Sequence, residues 1–282
     1  MAISPLDVKK LRDKTGAGFG DCKEALEKAN GDFAAAEKHL KEKGLAQVAK
    51  RAGRTATEGR VFTAITGAFA AVLEISCETD FVARNPEFVK TGQAILDGLV
   101  ASGASAPDAS ADAKLKDLAV ITKENLSIKT YKVLKAAAGE TVVQYVHGEG
   151  RIGVLVKVKV ADAAKVTDAK VQQFGFDLAL HAAAFNPTYL DRSKVDQAWL
   201  KEQEEIMRTR DADQLVGKPD NIVAGIMKGK VEKFLKQISF VDQPFVKDDK
   251  LTVTQAADKV GKEIGSKVEL VDYAYVQIGL EA

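Results

Sequence analysis

Apolar residues recur at helical spacing through the first forty positions, and near residue 60 the spacing switches to alternation. Val8 and Leu11 share one helix face, Cys22, Ala25, Leu26 and Ala29 a second, and Phe33, Ala36 and Leu40 a third. The glycine-rich "TGAGFGD" (Thr15 to Asp21) separates the first two helices, and "NGD" (Asn30 to Asp32) ends the second and offers Asp32 as a cap for the third. Three short helices bury little surface, so residues 1–45 read as a partner-docking module. From Gly44 to Gly59 no apolar face is sustained. Lys50, Arg51 and Arg54 are answered only by Glu58, so residues 46–59 read as a basic, partly helical linker.

Strand signals follow. "RVFTAITGAFAAVLEISCE" (Arg60 to Glu78) places β-branched and aromatic residues on both sides of a glycine, the signature of a hairpin. Leu73, Ile75 and Cys77 alternate with Val72, Glu74 and Ser76, which predicts one core face and one partly wet face. Asn85 and Pro86 open a helix whose stripe is Phe88, Ile95, Leu96 and Leu99. After the low-complexity "ASGASAPDASADA" come a helix near 113–125 and strands through "SIKTYKVLKAAAG" and "ETVVQYVHGEGRIGVLVKVKV". The last of these echoes the first hairpin, as strand, glycine turn, longer apolar strand and helix. The expectation is an α+β fold with two related subdomains, 60–139 and 140–282. Two antiparallel helices joined at "GKPD", about 193–239, interrupt the second subdomain, and "KVELVDYAYVQIGLEA" closes it with a strand.

Charge narrows the function classes. Lys and Arg total 41 against 40 Asp and Glu, a net charge of +1, so no global field draws the chain to nucleic acid or an anionic membrane. Neither a secretory signal nor a membrane-length apolar run is present, and a cytoplasmic location is expected. Cys22 and Cys77 read as separate buried thiols. There is no CxxC and the three histidines stand apart, so neither a metal nor a cofactor is expected.

Phosphate-loop, serine-hydrolase and zinc-protease motifs are all missing, and no GxGxxG joins a strand to a helix as a dinucleotide site requires. One alternative is a cysteine-dependent hydrolase pairing Cys77 with His147, with Asp80 orienting the imidazole. Cys77 lies on the apolar alternation, which favours a structural thiol. His181, among leucines and alanines, reads as a satisfied core histidine, and His39 as a solvated or helix-end residue. A second alternative is an RNA-binding adaptor using Lys50, Arg51 and Arg54, against which stand the near-zero charge and the lack of stacking aromatics.

Three glycine-marked places remain. Phe19 in "TGAGFG" is hard to bury locally and is a candidate contact. "HGEGRIG" reads as a hairpin turn exposing His147 and Arg151. In "TDFVARN" the phenylalanine either folds back as a lid, which the pattern alone favours, or faces a partner.

These segments together resemble the bacterial elongation factor Ts family. "LRDKTGAGFGDCKEAL", "NGDFAAAEKHL", "ETDFVARN", "HGEGRIGVLV" and "QPFV" occur in the family's order along the whole chain. The resemblance implies an N-terminal module like a ubiquitin-associated domain, two related α+β subdomains and an inserted helical hairpin. It also implies nucleotide exchange on elongation factor Tu without an active site of the chain's own. By that match Thr79, Asp80, Phe81 and Val82 form the loop inserted into the GTPase, with Phe81 as the wedge that disturbs the magnesium and phosphate site. Arg12, Phe19 and His147 are implied as further contacts, and neither a membrane nor direct nucleic-acid binding is implied. Family members often carry two bulky residues where this chain has Phe19 and Gly20, so Gly20 offers no side-chain contact.

Overall fold

The computed structural model describes residues 3–280. Helices α1 (Pro5–Thr15), α2 (Phe19–Lys28) and α3 (Phe33–Arg51) enclose a small core of Val8, Leu11, Cys22, Ala25, Leu26, Ala36 and Leu40. Ser4 caps α1 and Asp32 caps α3 through backbone amides, as short polar side chains do at helix starts. The third helix does not stop at residue 45. It continues to Arg51 because Gly44 lets it sit on α6 (Ala109–Thr122), where a β-carbon at 44 would fall 2.6 Å from Val120 Cγ1. His39 consequently lies within α3, half-buried, rather than at a helix end.

Beyond the module, strands β1 (Glu58–Thr66), β2 (Phe69–Cys77) and β3 (Ser127–Lys135) form one antiparallel sheet in that order. Between β2 and β3 lie the one-turn helix α4 (Asp80–Ala83), α5 (Pro86–Ala101) and α6. A second antiparallel sheet is ordered β4 (Glu140–His147), β5 (Ile152–Val160), β8 (Val268–Gln277). The chain between β5 and β8 contains α7 (Ala169–Phe185), α8 (Gln197–Arg210), α9 (Ala212–Leu215), α10 (Asp220–Ile238), the small pair β6 (Pro244–Phe245) and β7 (Asp248–Thr252), and α11 (Val253–Ile264). Fold class is therefore α+β.

The layers run helix, sheet, sheet, helix. Phe62, Leu73, Ile75 and Cys77 pack under α5 and α6 with Phe88, Ile95, Leu96, Leu99 and Leu118. Val154, Val156 and Val158 pack under α7 and α11 with Val171, Phe174, Leu178 and Ala257. Between the sheets lie Val61, Ala70, Val72, Leu155, Ala274 and Val276. The expectation of a partly wet face on β2 is thus corrected: residues 70–77 are all buried, because the second sheet covers the face opposite the helices. Glu74 is taken in with it, accepts a hydrogen bond from Thr130 Oγ1 at 2.8 Å, and has its carboxyl pKa raised by burial.

The two sheets share connectivity and detail. Each is a hairpin, a helical segment, and a third strand beside the hairpin's second, with a register shift at Glu74/Ile75 in one and Lys157/Val158 in the other. Leu73 pairs with Phe62 and Tyr131, and Val156 pairs with Val143 and Tyr273. Gly92 of α5 seats on Phe62 and Gly175 of α7 seats on Val143. The Tyr131 hydroxyl donates to the Ala104 carbonyl at 3.0 Å and the Tyr273 hydroxyl to the Pro187 carbonyl at 2.6 Å, each just beyond the covering helix. Helices α8 to α10 leave the second unit as a hairpin with its own core of Met207, Leu215 and Met227. Arg192, bonded to Asp242 (2.6 Å) and Glu232 (2.8 Å), ties its base to the body.

Candidate functional site

Strand β2 ends at Cys77, and the chain turns at once into α4. Thr79 is the N-cap, its hydroxyl accepting from the Val82 amide at 3.3 Å. Ala83 inserts into the core beneath, Val82 is half-buried, and Asp80 lies 3.4 Å from Arg84 one turn on. The remaining side chain of that turn, Phe81, has nowhere inward to go. It is 83% exposed, the most of any large apolar side chain among the described residues. The lid reading is therefore corrected: with Ala83 filling the inward position, the helical turn directs residue 81 to solvent.

A polar seat holds this turn. Glu124, between α6 and β3, accepts from the Glu78 and Thr79 amides at 2.9 and 3.1 Å and from the Thr79 hydroxyl at 2.6 Å. Glu78 in return accepts from the Asn125 amide at 2.7 Å, and Asn125 Nδ2 donates to the carbonyls of Ala52 and Arg54 just beyond α3. None of Glu124, Asn125 and Glu78 stands out in the sequence, since their partners lie tens of positions away and no local pattern announces them.

The "HGEGR" turn joins β4 to β5 through three consecutive left-handed residues, Gly148, Glu149 and Gly150. Glycine suits two of them, and a β-carbon at Gly150 would meet Arg60 Cγ at 2.5 Å. His147 is exposed, with Nδ1 2.9 Å from the Tyr145 hydroxyl. Arg151 Nη1 reaches Glu58 Oε2 at 3.0 Å, and Glu58 pairs with Cys77 across β1 and β2. The Phe81 turn and the His147 turn are thereby brought to the same end of the sandwich. Arg12 and Phe19 belong to the helical module, Arg12 exposed on α1 and Phe19 half exposed at the start of α2. A β-carbon at Gly20 would meet nothing within 4 Å.

Cys77 and His147 do not form a catalytic pair. The Cys77 thiol is fully buried and donates to the Thr79 carbonyl at 3.1 Å. Burial, reinforced by the Glu124 carboxylate, pushes its pKa up to about 12, which leaves almost no thiolate near neutrality. Asp80 is engaged by Arg84 rather than by an imidazole. The basic residues of the linker do not form a concentrated patch: Arg54 faces Glu78 at 3.4 Å and Arg51 donates to Gln47. A cavity of about 290 Å³ between the glycine-rich turn and α6 is lined by Thr15, Gly18, Asp21, Lys43, Gly44 and Val120, and by none of the expected contact residues. Among the described residues no group of three or more His, Cys, Asp or Glu is placed to hold a metal ion, and no helix is long and apolar enough to cross a membrane.

Comparison with known proteins agrees on one family. The family model described as Elongation factor TS matches residues 78–279. The chain is 47% identical over 281 residues to Elongation factor Ts of Borrelia recurrentis, covering 99% of this chain and 100% of that protein. It is 48% identical over 278 residues to that of Borreliella burgdorferi, covering 98% and 99%. To that of Treponema denticola it is 43% identical over 280 residues, covering 99% of each.

Proposed function

The chain belongs to the elongation factor Ts family, and from that premise we propose that it is the nucleotide exchange factor of elongation factor Tu, working through the Phe81 turn. The observation that carries this reading is a phenylalanine 83% exposed on a turn fixed from several sides. An aromatic ring supplies much apolar contact for few rotatable bonds, the profile of an interface hot spot. Thr79 starts the turn, Val82 steadies it against the core, and Asp80 stands beside the ring, free to exchange Arg84 for a partner group.

Exchange asks no covalent chemistry of this chain. Magnesium holds a nucleotide phosphate through strict octahedral geometry, so a wedge that shifts the partner's loops weakens ion and phosphate together. The factor then binds the nucleotide-free partner more tightly than the GDP-bound one, and by linkage incoming nucleotide expels the factor in the same proportion. In this reading His147, at the same end of the sandwich, widens the contact. Arg12 and Phe19 dock from the N-terminal module, whose three helices resemble a ubiquitin-associated domain in shape. The two α+β units are related subdomains, with the α8 to α10 hairpin inserted in the second.

The test is the release of a fluorescent GDP from elongation factor Tu. Acceleration that rises with factor concentration, and tighter binding to the nucleotide-free than to the GDP-bound partner, support the proposal. Equal affinity for both states contradicts it.

A further inference from the structure

The seat beneath Phe81 gathers its bonds on one carboxylate, and the second sheet provides the comparison. Thr79, as α4 begins after β2, has its counterpart in Asp162, which caps the short turn Ala163–Lys165 after β5. On the facing side, Lys123 closes α6 in a left-handed conformation (φ 60°) and Gly265 closes α11 likewise (φ 64°). The next residues are Glu124 and Ser266. In the second unit the Asp162 amide donates to Ser266 Oγ at 2.9 Å, the Ala161 amide, in the place of Glu78, donates to the Lys267 carbonyl at 2.9 Å, and Lys165 Nζ donates to the Ile264 and Gly265 carbonyls. In the first, the Thr79 amide donates to Glu124 Oε2 at 3.1 Å, and the same carboxylate also takes the Glu78 amide at 2.9 Å and the Thr79 hydroxyl at 2.6 Å.

A serine therefore suffices as the acceptor at this corner of the fold. The carboxylate takes the Glu78 amide, whose counterpart is served by a backbone carbonyl, and adds a bond from the Thr79 hydroxyl; all three are charge-assisted bonds, which are stronger and shorter than neutral ones. What differs above the seat is the residue two positions past the cap: Phe81 in one unit, Ala164 in the other, both exposed. The seat gathered on one carboxylate lies under the turn that presents a ring, and the one spread over a serine, a lysine and backbone carbonyls lies under the turn that presents a methyl group.

We infer that Glu124 is a positioning residue for exchange, holding Thr79–Val82 in the conformation in which Phe81 is offered to the GTPase. The inference rests on the exchange function proposed above. A turn ordered in advance does not lose that conformational freedom on insertion, so its ordering cost falls on folding and not on binding. Asn125 extends the seat to the end of α3, through its backbone amide on Glu78 and its side chain on the carbonyls of Ala52 and Arg54.

The test uses the full chain with Glu124→Ser, which installs the acceptor type found at Ser266, alone and combined with Phe81→Ala. The maximal rate of GDP release by the folded variant is expected to fall about tenfold in Glu124→Ser. Amide exchange at Glu78 and Thr79 is expected to quicken while that at Asp162 stays constant. In the Phe81→Ala background the same substitution should change the release rate by less than about twofold, because a residue that acts through Phe81 has nothing left to position. Wild-type release by Glu124→Ser, unchanged amide protection, or a full tenfold loss in both backgrounds would each overturn the inference. If the wild-type chain itself released no GDP, the exchange proposal would fall first and take this role with it. The wild-type rate reports that outcome separately.

Discussion

Arg151 and Glu58 link the two sheets at the end of the molecule that carries the Phe81 and His147 turns, the guanidinium Nη1 lying 3.0 Å from the carboxylate Oε2. The first residue closes the His147 turn, and the second lies across the ladder from Cys77, where the chain leaves for Phe81. Both side chains are partly exposed, so the pair contributes less than about 1 kcal/mol to folding. Arg151→Ala is expected to leave urea unfolding nearly unchanged while weakening binding to nucleotide-free elongation factor Tu by roughly threefold or more. Calorimetric titration alongside the unfolding curve checks both parts.

Buried His181 makes stability depend on pH. Its Nδ1 accepts from the Val246 amide at 3.2 Å, which leaves Nε2 to donate to Gln243 Oε1 at 2.8 Å, and the ring stacks on Phe240. Burial lowers its pKa below the ordinary 6.5, with the Gln243 hydrogen bond pulling the other way. Below the ordinary value the unfolded chain binds more protons than the folded one. The stabilising contribution is thus complete above about pH 6.5 and is lost as the pH falls from there through the folded value. Melting temperature is expected to drop over that window in the wild type, and the drop to shrink in His181→Gln.

Cys77 should be chemically silent. Cys22 and Cys77 are both fully buried, so neither should react with a thiol reagent at pH 8 until the chain unfolds, when both react. Cys77→Ala is expected to cost about 1–3 kcal/mol of stability and to leave GDP release by the folded fraction unchanged. Loss of release in a well-folded variant would return the cysteine to the mechanism.

The seam between the sheets has no room at Gly153. A β-carbon there would lie 2.3 Å from Val61 Cγ1 and 3.1 Å from Val72 Cγ2, so Gly153→Ala is expected to destabilise by about 1–3 kcal/mol. Gly20→Met is the contrasting case: its β-carbon enters open space, and the helix start gains up to about 1 kcal/mol from the replaced glycine. Chemical unfolding of the two variants separates a packed glycine from a free one.

The periodicities along the chain locate the three-helix core, the first hairpin and the helix capped by Asn85, because each is specified by neighbours within a few positions. Two features depend on distant partners and were not legible. The burial of Val72 and Glu74 follows from the second sheet, which no alternation within β2 can announce. The hydrogen bonds on Thr79 come from Glu124, 45 positions away, and the pattern of the turn alone reads as a loop with a lid. That Phe81 faces outward could be read from sequence only through resemblance to a family. The structure adds the local reason, since Ala83 takes the inward position and residue 81 points out.

The most direct measurement is GDP release from elongation factor Tu with the wild-type chain and with Phe81→Ala, both checked for the same melting transition. Rapid release by the wild type is expected, with a loss of about tenfold or more in the variant, the size of effect expected of a hot-spot aromatic. Release by Phe81→Ala at the wild-type rate would contradict that expectation, leaving an exchange factor whose most exposed aromatic ring plays no part in exchange.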